Sequence, residues 1–175
     1  PSIIILGIDP GLKTTGYGIV KRFDDKNQYV TSGIIKTGSS KDELAVRLKF
    51  IIEGLIEVIS QFHPECVAIE KVFVNNNPQS TLLLGQARGA AMSAAVIQNL
   101  PVFEYTALQI KKSVVGNGHA NKNQVQLMVQ KLLNLPSLVS HDSSDALACG
   151  LCHANISKSL SNLGIGNRMR GGRII

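Results

Sequence analysis

Four acidic side chains occupy positions at which a charged group needs a specific reason. Asp9 ends the apolar run SIIILGID, and Glu70 ends the run CVAIE. Short runs rich in β-branched residues predict strands that are buried on both faces. An ionised carboxylate buried there without partners would cost several kcal/mol. For either residue alone, neutralisation by a lysine or by loop amides explains the position as well as a catalytic role does.

A second pair of acids lies near the start of the last predicted helix, in the segment SHDSSDALACGLC. Asp142 and Asp145 are three residues apart, which places them on one helix face. Continuing that face by four residues and then by three reaches Cys149 and Cys152, which should point at the core. We therefore expect both aspartates to point inward at the end of the sheet, a register that a solvated helix cap does not need.

These four carboxylates together predict a metal site. Acids that converge repel one another unless cations neutralise them. Ligand sets made only of oxygen select hard ions such as magnesium or manganese over zinc. Two such ions about 4 Å apart activate water and stabilise the leaving oxygen in phosphodiester hydrolysis. The remaining acids suit turns, first helical turns or solvated faces; they are Asp24, Asp25, Asp42, Glu43, Glu53, Glu57, Glu65 and Glu104.

Other motifs carry less information. GLKTT lacks the Gly-Lys-Ser/Thr adjacency of a phosphate-binding loop, and CGLC falls inside a predicted helix without a second cysteine pair for zinc. The four histidines are scattered along the chain, and only His141 adjoins the predicted site. The small residues of GQARGAAMSAA, which include Gly85, Gly89, Ala90 and Ala94, permit close helix packing either inside the core or between two subunits.

The order of predicted elements indicates an α/β fold with a mixed β-sheet flanked by helices. Three strand-like runs open the chain as an antiparallel meander, with a turn at DDKN. Helices predicted at KDELAVRLKFIIEGLIEVISQF, from Pro78, after Thr106, at NKNQVQLMVQKLL and from SHDSSDALACGLC alternate with the strands CVAIE and VFEY. In such sheets, functional sites form beyond the carboxyl ends of the strands.

Composition predicts one globular domain with a nucleic-acid partner. The chain has 175 residues, of which 44% are hydrophobic, and 18 basic against 12 acidic residues give a net charge of +6. We predict a single domain over residues 1–156 and a basic, flexible tail over residues 157–175. No apolar run is long enough to span a membrane, no signal peptide is evident, and the odd number of cysteines favours the cytoplasm.

Several ordered motifs resemble those of the RuvC family of Holliday-junction resolvases, which have a ribonuclease H-like fold. The resemblance extends from about Ile3 to Ile156. It rests on LGIDPGLKTTGYGIV, VAIEKVFVNNNPQSTLLLGQARGAA, LPVFEY, KKSVVGNGHANKNQVQ and HDSSDALA. A lone Gly-Ile-Asp-Pro-Gly would not be specific, whereas this ordered series is.

The resemblance implies roles for individual residues. The residues that it implies as catalytic metal ligands are Asp9, Glu70, Asp142 and Asp145. It implies that Lys111 and Lys122 lie beside the site and contact phosphate or neutralise charge, with the adjacent Lys112 as an alternative to Lys111. Phe73 matches an aromatic residue that stacks near the crossover of the junction, although a hydrophobic anchor for its loop is an equal alternative.

The implied activity is the resolution of four-way DNA junctions by paired symmetric nicks in homologous recombination and DNA repair. Two Mg²⁺ ions per site, with Mn²⁺ as a substitute, would serve that hydrolysis. Because the junction offers two equivalent strands, we expect a twofold homodimer, and the resemblance implies the branch-migration proteins RuvA and RuvB as partners. The alternatives are another ribonuclease H-like nuclease that acts on RNA–DNA hybrids, an ATP-binding lobe of the actin and Hsp70 type, and a junction-binding protein without catalysis.

Overall fold

A five-stranded mixed sheet forms the centre of the molecule. The computed structural model describes residues 1–163 together with the backbone of residues 169–170 and 173–174. The strands of the sheet are β1 (Ser2–Asp9), β2 (Thr14–Phe23), β3 (Lys26–Lys36), β4 (Cys66–Glu70) and β5 (Val102–Tyr105). Their order is β3-β2-β1-β4-β5, with β1 to β3 antiparallel and with β4 and β5 parallel to β1. The predicted meander and the mixed sheet are confirmed.

Helices cover both faces of this sheet. They are α1 (Leu44–Phe62), α2 (Pro78–Ile97), α3 (Ala107–Val115), α4 (Lys122–Leu132) and α5 (His141–Asn162). Along β1 the side chains alternate between two cores. Ile5 packs with residues of α3, α4 and α5, whereas Leu6 and Ile8 pack with residues of α1 and α2. Within the described part of the chain, no helix is both long enough and apolar enough to cross a membrane.

Helix α5 is longer than its sequence predicts. It continues to Asn162, so residues 157–162 of the predicted flexible tail are helical. Serine and asparagine are weak helix formers, but here Leu160 is buried and the Lys158 ammonium lies 3.0 Å from the Asp25 carboxylate. Beyond the helix, the backbone of β6 (Met169–Arg170) pairs with that of β7 (Arg173–Ile174). The rest of the predicted tail lies outside the described residues.

Helix α5 lies unusually close to strands β1 and β2. A Cβ atom on Gly7 would stand 1.8 Å from the backbone oxygen of Ala146, and one on Gly16 would stand 2.2 Å from the backbone oxygen of Asp142. Real Cβ atoms do not approach backbone so closely, so only glycine fits at these two strand positions. The absence of side chains at Gly7 and Gly16 therefore determines how near the first turns of α5 come to the sheet.

We predict that Gly16→Ala destabilises the protein because the added methyl group collides with the backbone of α5. The expected loss is about 1–3 kcal/mol in the free energy of unfolding, measurable as a lower Tm. Ser60→Ala is the control, since Ser60 is exposed within α1. Alanine at position 60 should leave the free energy of unfolding within about 0.5 kcal/mol of that of the unmodified protein. Equal Tm values for Gly16→Ala and the unmodified protein would contradict the close packing of α5.

Candidate active site

One cleft collects the predicted catalytic side chains. It opens at the carboxyl ends of β1 and β4 and has a volume of about 440 Å³. All six residues predicted to be catalytic line it: Asp9, Glu70, Lys111, Lys122, Asp142 and Asp145. These residues come from two strands and three helices and span most of the chain. The cleft therefore unites groups that the sequence keeps far apart.

Parallel strand pairing brings the first two carboxylates together. β1 and β4 are hydrogen-bonded neighbours, and Ile8 is paired with Ile69. Asp9 and Glu70 follow these paired residues and are the last residues of their strands. Two parallel strands that end at the same level necessarily present their final side chains at one edge of the sheet.

The start of α5 brings the other two carboxylates to the same edge. The Ser140 side chain caps the helix by accepting a hydrogen bond from the Ser143 amide at 3.1 Å. Asp142 and Asp145 occupy the next turns, and both are only partly exposed. Cys149 and Cys152 are buried in the core, as the helical spacing predicts. The cysteines of the CGLC motif are thus core residues.

The Asp9 carboxyl is strongly perturbed by its surroundings. Burial, and to a smaller extent the negative charges of Asp145, Asp142 and Glu70, raise its pKa to about 8. The ammonium group of Lys122 acts in the opposite direction. A carboxyl group with such a pKa holds its proton at neutral pH unless a cation takes the place of that proton. The site is therefore short of positive charge.

Glu70 and Asp145 show the same perturbation. Burial raises the pKa of both carboxyl groups, and the charge of Asp145 contributes to the increase at Glu70. Lys111 and Lys122 lower both pKa values without cancelling the increase. Mutual electrostatic influence of this kind requires that the carboxylates and the two lysines share one confined space.

Each lysine stands on a helix whose start is well defined. Thr106 and Gln109 form a capping box at α3, which carries Lys111, and Asn121 and Gln124 form one at α4. Lys122 is the first residue of α4, where the helix dipole disfavours a positive charge. Lys122 therefore occupies a position that is unfavourable for its own helix but close to several carboxylates, which indicates that its charge acts in the cleft.

The structure separates Lys111 from its neighbour. Lys111 lines the cleft and is partly buried, whereas Lys112 is exposed and is not among the residues that line the cleft. His141 is exposed too, and it lowers the pKa of Asp145. Of the two adjacent lysines, the geometry therefore favours Lys111.

The donor set suits divalent cations in its chemistry. Four carboxylates supply only oxygen ligands, which magnesium and manganese prefer, and the raised pKa values show that positive charge is favourable in this cleft. Within the described residues, no three acidic, histidine or cysteine side chains already converge tightly enough to hold one ion.

Phe73 projects from the loop that follows Glu70. Its side chain is 69% exposed, and that of the adjacent Val74 is 81% exposed. Asn75 braces this loop, because its Oδ1 accepts hydrogen bonds from the Asn77 amide at 2.7 Å and from the Thr81 hydroxyl at 3.0 Å. A ring so exposed contributes little packing within this subunit, which argues against the loop-anchor alternative, and stacking on a base stays a prediction.

Sequence reasoning missed two side chains that contact the acids. Thr14, the first residue of β2, lines the cleft, and its hydroxyl donates to Asp142 Oδ2 at 2.8 Å. Arg88 of α2 donates from Nε to the backbone oxygen of Glu70 at 2.9 Å and forms a salt bridge with Glu104. Glu104 is thus ion-paired rather than free in solvent. Arg88 is the one charged residue of α2, and that was the available signal for it.

Comparison with known proteins agrees with this site. The family described as crossover junction endodeoxyribonuclease RuvC matches residues 5–153. The chain belongs to the RuvC family. A crossover junction endodeoxyribonuclease RuvC from Methylobacillus flagellatus is 59% identical over 176 residues, which cover 98% of each chain.

Solved RuvC structures share the fold. The structure of Thermus thermophilus RuvC superimposes with a TM-score of 0.79 at 31% identity, over 93% of this chain and 97% of that one. T. thermophilus RuvC in complex with Holliday junction substrate gives a TM-score of 0.83 at 32% identity, over 90% and 96% of the two chains. The predicted α/β, ribonuclease H-like architecture is confirmed, and every candidate residue named above lies within the region matched by the RuvC family.

Proposed function

We propose that this RuvC-family chain resolves four-way DNA junctions by metal-dependent hydrolysis of phosphodiester bonds, in homologous recombination and DNA repair. One observation carries the proposal: four carboxylates, three of them with raised pKa values, and two lysines line a single cleft. The chain that contains this cleft has the fold of T. thermophilus RuvC, whose structure was solved in complex with Holliday junction substrate. A nucleic-acid partner also agrees with the net charge of +6.

The four carboxylates are proposed as ligands of two Mg²⁺ ions, which Mn²⁺ can replace. Asp145 is a central ligand, since its charge raises the pKa of both Asp9 and Glu70. The chemistry that such ions supply is the activation of a water molecule and the stabilisation of the leaving oxygen. The role of the protein is to hold the ligand oxygens in place and to keep the carboxylates ionised near cations.

Lys111 and Lys122 are proposed to bind the phosphate of the strand that is cut. Both line the cleft, and both lower the pKa values of Glu70 and Asp145. Lysine is a point charge on a flexible stem, which suits contact with a phosphate group that changes its charge distribution during hydrolysis. The two helix starts hold the lysine backbones on the side of the cleft made by α3 and α4.

Phe73 is proposed to stack on a base near the crossover. Its loop starts at Glu70, so a base in contact with the ring lies close to the carboxylates. The braced loop presents the ring to the solvent, an arrangement that binding to an exposed base would complete.

The protein is further proposed to act as a twofold homodimer in the cytoplasm, together with the branch-migration proteins RuvA and RuvB. A four-way junction has two equivalent strands to cut, and one chain supplies one cleft.

In α2, Ala90 and Ala94 are buried in the subunit core, but Gly85 and Gly89 are exposed. The exposed glycines keep α2 available as an interface between subunits. Residues 1–156 are proposed to form the nuclease domain, and the last turns of its helix α5 continue to Asn162.

We predict that Asp9→Asn abolishes junction cleavage while junction binding stays intact or becomes tighter. The substitution preserves side-chain shape and removes one ligand charge. Cleavage should be measured in Mg²⁺ on a synthetic four-way junction, beside a linear duplex and an RNA–DNA hybrid. Asp24→Asn is the matched control, because Asp24 lies at the β2–β3 turn with φ of 53°, which asparagine accommodates. Undiminished cleavage by Asp9→Asn would refute the site, and preferential cutting of the hybrid would favour the alternative nuclease activity.

Phe73→Ala should reduce cleavage of junctions and leave metal binding unchanged. Stacking of an aromatic ring on a base is worth about 1–3 kcal/mol, so a loss of about fivefold to 100-fold is expected. Phe23→Ala is the control. Phe23 is 52% exposed and pairs with Ser2, the first residue of β1, so it lies at the opposite end of that strand from Asp9. If Phe73→Ala cuts junctions as well as Phe23→Ala does, stacking is wrong.

Mixed dimers of active and Asp9→Asn subunits should nick one strand of the junction and fail to complete resolution. The reason is that each subunit would cut one of the two symmetry-related strands. Differently tagged subunits allow the mixed species to be isolated and its products to be resolved on a denaturing gel. A strictly monomeric species, identified by sedimentation with the junction bound, that makes both cuts would disprove the dimer.

A further inference from the structure

A hydroxyl group from outside the set of acids and lysines contacts one of the four carboxylates. Thr14 Oγ1 lies 2.8 Å from Asp142 Oδ2, although the two residues are 128 positions apart in the chain. Both side chains are partly buried, and both line the cleft. The contact joins the first residue of β2 to the first turn of α5.

The chemistry of the pair gives the contact a direction. An ionised carboxylate accepts hydrogen bonds only, so the Thr14 hydroxyl is the donor. The bond occupies Oδ2 of Asp142 and leaves Oδ1 without that partner. Hydrogen bonds to charged groups are shorter and stronger than those between neutral groups. This hydrogen bond therefore restricts rotation of the Asp142 carboxylate. It uses the single hydroxyl hydrogen of Thr14, so Thr14 does not share that hydrogen with another acid.

The backbone around Thr14 is itself firmly held. The Thr15 hydroxyl donates to the backbone oxygen of Gly11 at 2.9 Å, which closes the loop between β1 and β2. The Thr37 hydroxyl donates to the backbone oxygen of Lys13 at 2.9 Å, and Arg47 Nη2 donates to that of Leu12 at 2.8 Å. These three bonds hold the backbone oxygens of Gly11, Leu12 and Lys13, which directly precede Thr14. The backbone that carries the Thr14 side chain is therefore held in place.

We infer that Thr14 is a positioning residue, which orients the Asp142 carboxylate for binding a divalent cation. The inference rests on the proposed role of Asp142 as a metal ligand and adds a residue to which that proposal gives no role. Partners that orient a ligand in this way commonly change metal affinity by about 10-fold to 100-fold when they are removed. Thr14 holds a ligand and does not itself have to touch the ion or the DNA.

The test compares Thr14→Val with Thr14→Ser in the DNA-free protein. Mn²⁺ binding, followed by electron paramagnetic resonance of the free ion, reports on the site without any need for cleavage. Valine has the shape of threonine without the hydroxyl, so we expect about 10-fold to 100-fold weaker binding. Serine retains the donor, so we expect affinity within about threefold of the unmodified protein. Thr31→Val is the control, because Thr31 lies on β3 and does not line the cleft.

Two further measurements separate the possible outcomes. The Tm of each variant is recorded first. If Thr14→Val lowers the Tm, Thr14→Ala takes its place in the test, because alanine removes the hydroxyl without adding a branched side chain. In Asp142→Ala, the additional change Thr14→Val should leave Mn²⁺ affinity unchanged, because the oriented group is absent. Unchanged Mn²⁺ affinity in both Thr14→Val and Thr14→Ala would overturn this inference and leave the proposed function intact. Unchanged affinity in Asp142→Ala alone would overturn the ligand assignment, and with it this inference.

Discussion

The direct contact between α5 and the backbone of β1 and β2 determines where the acidic groups of this protein meet. Glycines at positions 7 and 16 allow the helix to approach the strands more closely than any side chain would permit. The helix is long, and its buried face includes Cys149 and Cys152, which fix its rotation about its own axis. With approach and rotation both determined, Asp142 and Asp145 face the ends of the strands that carry Asp9 and Glu70.

This arrangement is electrostatically unfavourable when only the protein is considered. Partial burial and mutual repulsion raise the pKa values of three of the four carboxyl groups, and two lysines offset the effect only in part. Stability alone would favour fewer charges in the cleft. The conflict is typical of sites that bind cations and polyanionic substrates, where the missing positive charge arrives with the ligand.

Helix α2 connects the cleft with the surfaces proposed to contact DNA and a second subunit. Arg88, on one side of the helix, binds the backbone of Glu70 and the Glu104 carboxylate. The braced loop with Phe73 enters the helix at Pro78, and Gly85 and Gly89 are exposed along it. Arg88 therefore ties α2 to the end of β4, where Glu70 lies.

Much of the fold and the four acids could be predicted from the sequence by local pattern. A carboxylate at the end of an apolar run marks the end of a strand, and a spacing of three, four and three residues marks one helix face; both regularities arise from backbone geometry within a few residues. The length of α5 could not be predicted this way, since the contacts of Leu160 and Lys158 outweigh the weak helix propensity of the surrounding serines. The bonds from Thr14 to Asp142 and from Arg88 to Glu70 also escaped prediction. Each joins separate elements of the chain, and only the packing of helices on the sheet decides which of their side chains come within hydrogen-bond distance.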